Sequence, residues 1–182
     1  MAQKNYNTHQ GKAHYNFGFR NGILDSVALN PSPNKINSST YCIKYRRNKD
    51  EIYDNLKLQL HSKLDKVSSY ASYEENAPAI KLKIFSTAPI GTQVELQLGK
   101  KDEVPYPDGV HSQYQAFTNK QNEWEEIVFL FAQIPSGSHV NDKQVDQITI
   151  LFAPNTHINN VFYFDDLTGP EFASPGIVVA LE

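Results

Sequence analysis

The chain has 182 residues, of which 40% are hydrophobic and 20% are charged, and its formal net charge is −3. This length is enough for one β-sandwich with a packed core. Because basic and acidic residues are mixed without a basic stripe, nucleic acid is not an expected partner. A membrane is not expected either, since no apolar run approaches the roughly 20 residues of a membrane helix. No signal-peptide pattern opens the sequence, which does not exclude a secreted location.

The first part of the chain combines a polar start with two β-type runs. Residues 1–12 are polar, and we predict that they form a disordered tail. Strands are predicted at residues 14–20 and 40–47. The second contains Cys42, the only cysteine, which excludes an intrachain disulfide and a thiol-rich metal site. No activating pattern surrounds its thiol, so we interpret Cys42 as a small apolar filler of the strand.

The middle of the chain alternates apolar and polar residues with a period of two. This period is typical of strands that have one buried and one solvated face. It predicts strands at residues 56–60, 80–85 and 94–98, and another is expected at 111–118. Between the early strands, residues 50–55 are predicted to form one turn of helix.

The last third of the chain contains three β-type runs in succession, at residues 124–131, 145–152 and 161–167. The second run is apolar on both faces, which indicates a central strand. Nine or ten strands, joined by turns rich in Pro, Gly, Asn and Ser, predict an all-β, antiparallel β-sandwich (jelly roll) with two sheets. We assign this body to residues 13–170, and we interpret residues 171–182 as a C-terminal tail or a cloning remnant. Pairing of residues 177–181 with an edge strand is the alternative.

The sequence lacks the constellations that most enzyme classes require. It has no nucleophile elbow, zinc-helix, P-loop or dinucleotide-binding motif, and its six His residues form no ligand pairs. Two carboxylate doublets are present, Glu125-Glu126 and Asp165-Asp166. Neighbouring residues on one strand point to opposite faces, whereas a glycosidase needs two carboxylates that face each other across a sugar. We therefore predict that the chain is not an enzyme.

The stretch 105–119 combines aromatic rings with polar side chains, a mixture that suits shallow sugar-binding grooves. Pro and Gly residues predict a protruding turn, and a strand follows it. The alternative is an ordinary loop and an ordinary strand. The candidate ligand-binding residues are Tyr106, His111, Gln113 and Tyr114, together with Tyr70 and Tyr73 of a second aromatic cluster and Arg46 at the end of a strand.

Two further features have a structural and a functional interpretation. Trp124 begins an apolar strand, and a position in or beside the core is favoured over a stacking platform for a sugar ring. Asp165 and Asp166 end the closing strand, where one carboxylate can bind a hard cation such as calcium with the help of backbone carbonyls. A solvated or salt-bridged Asp pair is the alternative interpretation.

Four stretches of the sequence resemble galactose-binding-like jelly rolls of carbohydrate-binding modules, in particular those of secreted glycan-degrading or surface proteins of Bacteroidetes-type bacteria. They are Asn30-Pro31 with Asn37-Ser38-Ser39 and the strand that follows, the run 80–98, the run 118–131 with Trp124-Glu125, and the closing run Phe162-Tyr163-Phe164-Asp165-Asp166-Leu167. Together they cover about residues 14–170.

The resemblance implies non-catalytic glycan binding on a concave sheet face and a structural calcium ion. The calcium ligands carry over onto Asp165 or Asp166. Such modules often carry Phe-Glu in their first strand, where this chain has Phe17-Gly18. The resemblance also implies a secreted or cell-surface location.

The leading hypothesis is therefore a module that binds polysaccharide or oligosaccharide without catalysis. A structural or adhesive β-sandwich, which mediates protein–protein contacts with neighbouring domains of a secreted multidomain protein, is the second hypothesis. An exposed apolar patch without a groove would favour that one. A small glycan-active enzyme is the third, and a cleft with two facing carboxylates would favour it.

Overall fold

The computed structural model describes residues 3–8, 12–101, 104–174 and 177–181. Ten strands of five or more residues make up the body: β4 (Tyr15–Arg20), β5 (Ile23–Leu29), β6 (Tyr41–Arg46), β7 (Leu56–Leu60), β8 (Ile80–Ser86), β9 (Gln93–Gly99), β10 (Val110–Phe117), β11 (Trp124–Gln133), β12 (Gln147–Phe152) and β13 (Val161–Gly169). Shorter elements complete the described chain: β1 (Lys4–Asn5), β2 (Asn7–Thr8), β3 (Lys12–Ala13), β14 (Val179–Ala180) and the single helical turn α1 (Val67–Tyr70).

The ten long strands form two antiparallel sheets. Sheet I has the order β4–β7–β12–β9–β10, and sheet II has the order β11–β8–β13–β6–β5. Strand β11 joins them, because its first half pairs with β8 and its last residues pair with β10. The predicted antiparallel β-sandwich with nine or ten strands in two sheets is confirmed.

The core lies between the two sheets and follows the period-two pattern of the sequence. In strands such as β7 and β9, alternate residues point inward and are fully buried, as Leu56, Leu58 and Leu60 of β7 show. Phe152 of sheet I stacks on Phe162 of sheet II, with ring centroids 4.7 Å apart. Strand β12 is buried on both faces and lies between β7 and β9, as predicted for a central strand.

Two elements differ from the sequence-based expectation. Strand β5 was not predicted, because Asp25 and Ser26 interrupt its apolar pattern where its register with β6 shifts. Residues 50–55 do not form the expected helical turn. The carbonyl oxygens of Glu51 and Ile52 instead accept hydrogen bonds from the guanidinium of Arg47, at 3.0 and 2.8 Å.

The terminal segments pack on the sandwich. Residues 1–12 were expected to be a disordered tail, yet in the described part of that range β1 pairs with β13, and the ring of Tyr6 is fully buried. Its hydroxyl donates to the Pro170 carbonyl oxygen at 2.6 Å. Near the other end, Phe172 packs against the core and β14 pairs with β3. The position of the domain boundaries stays a prediction.

Among the described residues, no helix has the length and apolar character that crossing a membrane would require.

Candidate functional site

A groove of about 590 Å³ lies on the outer face of sheet I. Its floor is formed by four neighbouring strands, β7, β12, β9 and β10. The register aligns Lys57 with Thr149, Thr149 with Gln97, and Gln97 with Gln113, so a row of polar side chains crosses the sheet. In the next row, Leu151 adds an apolar contact beside Glu95. This floor is the polar face of strands whose other face builds the core.

One edge of the groove is the loop 104–109, which carries Tyr106. Two glycines allow close backbone approaches here: a Cβ at Gly99 of β9 would approach the Gly109 carbonyl oxygen of the loop to 2.3 Å, and a Cβ at Gly109 would approach the Val104 carbonyl oxygen within the loop to 2.4 Å. Backbone hydrogen bonds close the loop, among them the one from Lys100 N to Gly109 O at 2.9 Å. The Tyr106 ring is 56% exposed, so one side of it is open to a ligand.

The opposite edge carries Tyr53, which is 57% exposed. A buried guanidinium holds this loop, since Arg47 Nε donates to the Phe152 carbonyl oxygen at 2.8 Å while its other nitrogens donate to the carbonyl oxygens of Ile158 at 2.9 Å and of Ile52, next to Tyr53, at 2.8 Å. Burial lowers the pKa of Arg47. The buried carboxylate of Asp54 accepts from the Tyr45 hydroxyl at 2.7 Å and from Asn48 N at 2.8 Å. The core thus anchors the edge that presents Tyr53.

A hydrogen-bonded chain of side chains runs over the groove floor. Glu95 Oε1 accepts from Gln97 Nε2 at 2.8 Å and from Gln113 Nε2 at 2.9 Å. Gln113 Oε1 in turn accepts from Gln133 Nε2 at 2.9 Å, and the Tyr106 hydroxyl lies at 3.5 Å from the same oxygen. These contacts orient the half-buried carboxylate of Glu95 between two amides.

Of the predicted ligand-binding residues, Tyr106 and Gln113 line the groove. His111 does not, because β10 has a register shift between Val110 and Ser112 that removes His111 from the regular alternation. Burial lowers the pKa of His111, and one of its ring nitrogens lies 2.9 Å from Ser112 Oγ.

Tyr114 was expected to stack on a sugar, but the structure places it in the core. It is 1% exposed, its ring packs on Phe131 with centroids 5.8 Å apart, and its hydroxyl bonds to Ser112 Oγ at 2.9 Å. Burial raises the pKa of Tyr114. The strand face that it shares with Ser112 and Ala116 points inward, so this ring is not accessible to a ligand.

The other three predicted contacts lie away from the groove. Arg46 ends β6 in sheet II. Tyr70 is buried in α1, where burial raises its pKa. Tyr73 is exposed, but its ring packs on Phe131 with centroids 4.6 Å apart and its hydroxyl donates to the Ala132 carbonyl oxygen at 2.5 Å.

Several groove residues were not identified as candidates from the sequence. The sequence does indicate that Lys57, Glu95 and Gln97 lie on a strand face outside the core, because they occupy the polar positions of strongly alternating strands. Alternation alone does not distinguish a ligand-facing surface from a solvent-facing one. The pairing of β9 with both β12 and β10 brings these positions together. The groove residues that sequence reasoning missed are Tyr53, Asn55, Lys57, Glu95, Gln97, Gln147, Thr149 and Leu151.

The second site predicted from the sequence, Asp165 and Asp166, lies on sheet II and is buried. Asp165 Oδ1 accepts from Asp166 N at 2.9 Å, and its Oδ2 accepts from Asn37 Nδ2 at 3.3 Å. Asp166 Oδ1 accepts from Asn5 Nδ2 at 2.9 Å, and its Oδ2 accepts from Lys83 Nζ at 2.6 Å. Burial, followed by the charge of Asp166, raises the pKa of Asp165.

These contacts do not favour a calcium ion between the two carboxylates. Each of the four carboxylate oxygens already has an N–H donor, and the Lys83 ammonium supplies a positive charge beside Asp166 Oδ2. Calcium takes six to eight oxygen ligands. Among the described residues, no group of three or more His, Cys, Asp or Glu side chains is placed to share a metal ion. The structural calcium at Asp165 or Asp166 stays a prediction from the resemblance.

Near Trp124, the outer face of sheet II is covered by the chain itself. Trp124, Phe85 and Cys42 form a small apolar cluster there, against which Tyr163 packs. Trp124 is 0% exposed, and its Nε1 donates to Asn30 Oδ1 at 2.8 Å. Trp124 is therefore a buried residue rather than a stacking platform. Burial raises the pKa of the Cys42 thiol to about 12, in agreement with its interpretation as a filler.

Comparison with solved structures finds the same fold in carbohydrate-binding modules. A family 30 module of a cellulosomal cellulase of Clostridium thermocellum has a TM-score of 0.58 at 11% identity, over 99% of this chain and 98% of that one. A family 11 module of another cellulosomal cellulase of that organism has a TM-score of 0.56 at 13% identity, over 94% and 95%. A family 11 module in complex with a β-1,3-1,4-mixed-linked tetrasaccharide has a TM-score of 0.52 at 12% identity, over 91% of each chain.

The predicted jelly roll of the carbohydrate-binding-module type is thus confirmed as a fold, while a Bacteroidetes-type origin stays a prediction. A scan against models of protein families and a search of curated proteins found no match.

Proposed function

We propose that the protein is a non-catalytic carbohydrate-binding module that holds a polysaccharide or oligosaccharide in the groove of sheet I. The observation that carries this proposal is the groove itself, a polar floor of four strands between two half-exposed tyrosines on opposite edges. Sugar rings offer apolar C–H faces to aromatic rings and hydroxyls to amides and carboxylates. Tyr53 and Tyr106 supply the rings, and the row from Lys57 to Gln113 supplies the polar partners.

The geometry favours binding over hydrolysis. A glycosidase positions two carboxyl groups across the scissile bond. Among the described residues that line the groove, Glu95 is the only Asp or Glu, and two amide groups hold it. An exposed apolar patch without a groove was the feature that would have favoured an adhesive role, and the groove supports the carbohydrate proposal instead.

The structural neighbours support the same assignment by analogy of fold. Carbohydrate-binding modules of families 11 and 30 share the sandwich over almost the whole chain. We extend the proposal to a secreted or cell-surface location and to neighbouring domains of a larger protein as additional partners. A structural calcium ion belongs to the proposal only through the resemblance.

The test is retention on polysaccharides in affinity electrophoresis, followed by calorimetric titration with the retained glycan. The panel contains mixed-linked β-1,3-1,4-glucan, cellulose oligosaccharides, agarose, polygalacturonate and alginate. We expect Tyr53→Ala and Tyr106→Ala each to weaken binding about 5- to 20-fold, because each removes an aromatic contact worth roughly 1 to 2 kcal/mol.

The matched control is Tyr41→Ala, which removes a tyrosine of similar exposure, 52%, from β6 of the other sheet. It is expected to leave binding unchanged. The same titration with and without a chelator measures any contribution of calcium. If the wild-type protein is retained by no glycan, or if Tyr41→Ala weakens binding as much as the groove variants do, the proposal fails.

A further inference from the structure

The carboxylate of Glu95 is a fixed hydrogen-bond acceptor on the groove floor. Its Oε1 receives two amide N–H groups, from Gln97 at 2.8 Å and from Gln113 at 2.9 Å. Among the described residues, no donor contacts Oε2. A carboxylate offers about four lone-pair directions and donates nothing when it is ionised. The side chain is therefore held in one orientation while acceptor capacity remains for a ligand.

Gln133 fixes the orientation of this network from outside the groove. It donates to Gln113 Oε1 at 2.9 Å, so the amide nitrogen of Gln113 must turn toward Glu95. The register supports this arrangement, because Gln113 faces Gln97 on one side and Gln133 on the other. Gln97 and Gln113 thus donate to Glu95 while Gln133 donates to Gln113, so three neighbouring strands set the direction of these hydrogen bonds.

We infer that Glu95 is the specificity-determining residue of the groove: it accepts hydroxyl donors of an uncharged sugar unit, the primary hydroxyl among them, and it rejects a unit that carries a carboxylate or sulfate at that position. This inference rests on the proposed carbohydrate binding and adds the chemical class of the sugar. Hydrogen bonds to an ionised acceptor are about twice as strong as neutral ones. A second negative group at the same place would meet a fixed negative charge in a partly desolvated groove.

Lys57 is the one positive charge among the described lining residues, and it does not neutralise Glu95 directly. It lies on β7, separated from β9 by β12, and its ammonium has no carboxylate of a described residue within 4.0 Å. A preference for anionic polysaccharides, bound through Lys57, is therefore the alternative to a preference for neutral ones. The experiment below distinguishes these two preferences.

The test compares each neutral polysaccharide with its counterpart in which primary hydroxyls have been oxidised to carboxylates, and adds polygalacturonate and alginate. The wild-type protein should bind the neutral polymer at least 10-fold more tightly than its oxidised form. Glu95→Gln should weaken binding of the neutral polymer about 10- to 100-fold, since it removes charge-assisted hydrogen bonds. It should also reduce the discrimination against the oxidised polymer, which a general structural defect would not do.

Three controls accompany this comparison. Glu126→Gln removes an exposed carboxylate from sheet II, where it lies 3.7 Å from Lys81, and should change neither affinity nor discrimination. Gln133→Leu should weaken binding less than Glu95→Gln does, because it acts only through Gln113. Thermal unfolding of each variant verifies that it is folded.

The outcomes separate this inference from the proposed function. If Glu95→Gln binds the neutral polymer as the wild type does, or if the wild type prefers anionic polymers and Lys57→Gln abolishes that preference, the inference is overturned while carbohydrate binding stands. If no polymer is retained, both fail. Loss of binding together with relaxed discrimination in Glu95→Gln supports both.

Discussion

The outer faces of the two sheets differ in what covers them, although both belong to strands with the same alternating pattern. On sheet II, residues of the 30–39 segment contact the face, and Trp124 is buried beneath Asn30. On sheet I, the equivalent face stays open as a groove with Glu95 at its floor. Both regions carry acidic residues: the carboxylates of Asp165 and Asp166 are buried, whereas that of Glu95 lies in the open groove.

This difference shows how little the mere presence of carboxylates indicates about function. The Asp165-Asp166 pair is the more conspicuous acidic feature of the sequence, yet every one of its oxygens accepts a hydrogen bond from this chain. Glu95 is a single residue in an ordinary alternating strand and retains acceptor capacity. A polar group whose hydrogen-bond partners all lie within the protein stabilises the fold. A polar group in a groove that can accept further hydrogen bonds is able to bind a ligand.

The largest expected effect concerns the covered face. Trp124→Ala should lower the free energy of unfolding by about 3 to 5 kcal/mol, because it leaves a cavity between Phe85 and the 30–39 segment. In contrast, Tyr53→Ala on the open face should change it by less than about 0.5 kcal/mol. Urea unfolding followed by circular dichroism measures both.

In the fraction of Trp124→Ala that remains folded, glycan affinity should equal that of the wild type. Equal stability losses for the two substitutions would contradict the distinction between a covered and an open face.

An intermediate effect is expected at the Lys83–Asp166 ion pair, whose atoms lie 2.6 Å apart and whose side chains are largely buried. Lys83→Met should destabilise the protein by about 2 kcal/mol, because it removes the cation beside a buried carboxylate. The double variant Lys83→Met with Asp166→Asn should recover part of that loss. Thermal unfolding with and without added calcium tests this pair.

A calcium-dependent rise in melting temperature in Lys83→Met alone would indicate that the lysine occupies the position of a cation. A similar rise in the wild type would instead support the calcium ion that the resemblance implies. Failure of the double variant to recover stability would show that the loss comes from packing rather than from the charge of Asp166.

The smallest effect is a pH dependence at Asp165. Burial raises its pKa in the folded protein, so the native state binds the proton more tightly than the unfolded chain does. The resulting stabilisation is fully present below the ordinary carboxyl pKa of about 4 and is lost as the pH rises through the raised pKa. Asp165→Asn removes this contribution.

The measurement is the urea midpoint of the wild type and Asp165→Asn at a series of pH values from about 3 to 7. The stability of the wild type relative to the variant should fall as the pH rises, and any constant packing difference cancels from that slope. A difference that stays constant or grows with pH would contradict a raised pKa at Asp165.

Much of the fold could be predicted because strand formation follows from local alternation. The predicted central strand is β12, and the closing run became β13 with its apolar residues Phe162 and Phe164 in the core. Strand β5 was missed because a bulge at Asp25 interrupts the pattern that identifies a strand. The buried Tyr6 was missed since its pocket is built from residues far along the chain, such as Pro170.

The candidate site was predicted less completely. Tyr106 and Gln113 line the groove, but Tyr114 lies on the inner face of β10, and the register shift at His111 removes that residue from the floor. Tyr53 is presented by a loop that the buried guanidinium of Arg47 holds, and no period in the sequence reveals that contact.

The sequence by itself determined the fold class, most of the strands and which residues of each strand are polar, because side chains alternate between the two faces of a strand. Only the tertiary structure decided which polar face stays open and which side chains converge on it. That decision depends on contacts between residues far apart in the chain, such as Trp124 with Asn30 on the covered face and Glu95 with Gln113 on the open one. The local sequence pattern does not predict either contact, since each forms only when the strands pair in their native register and the loops pack against the sheets.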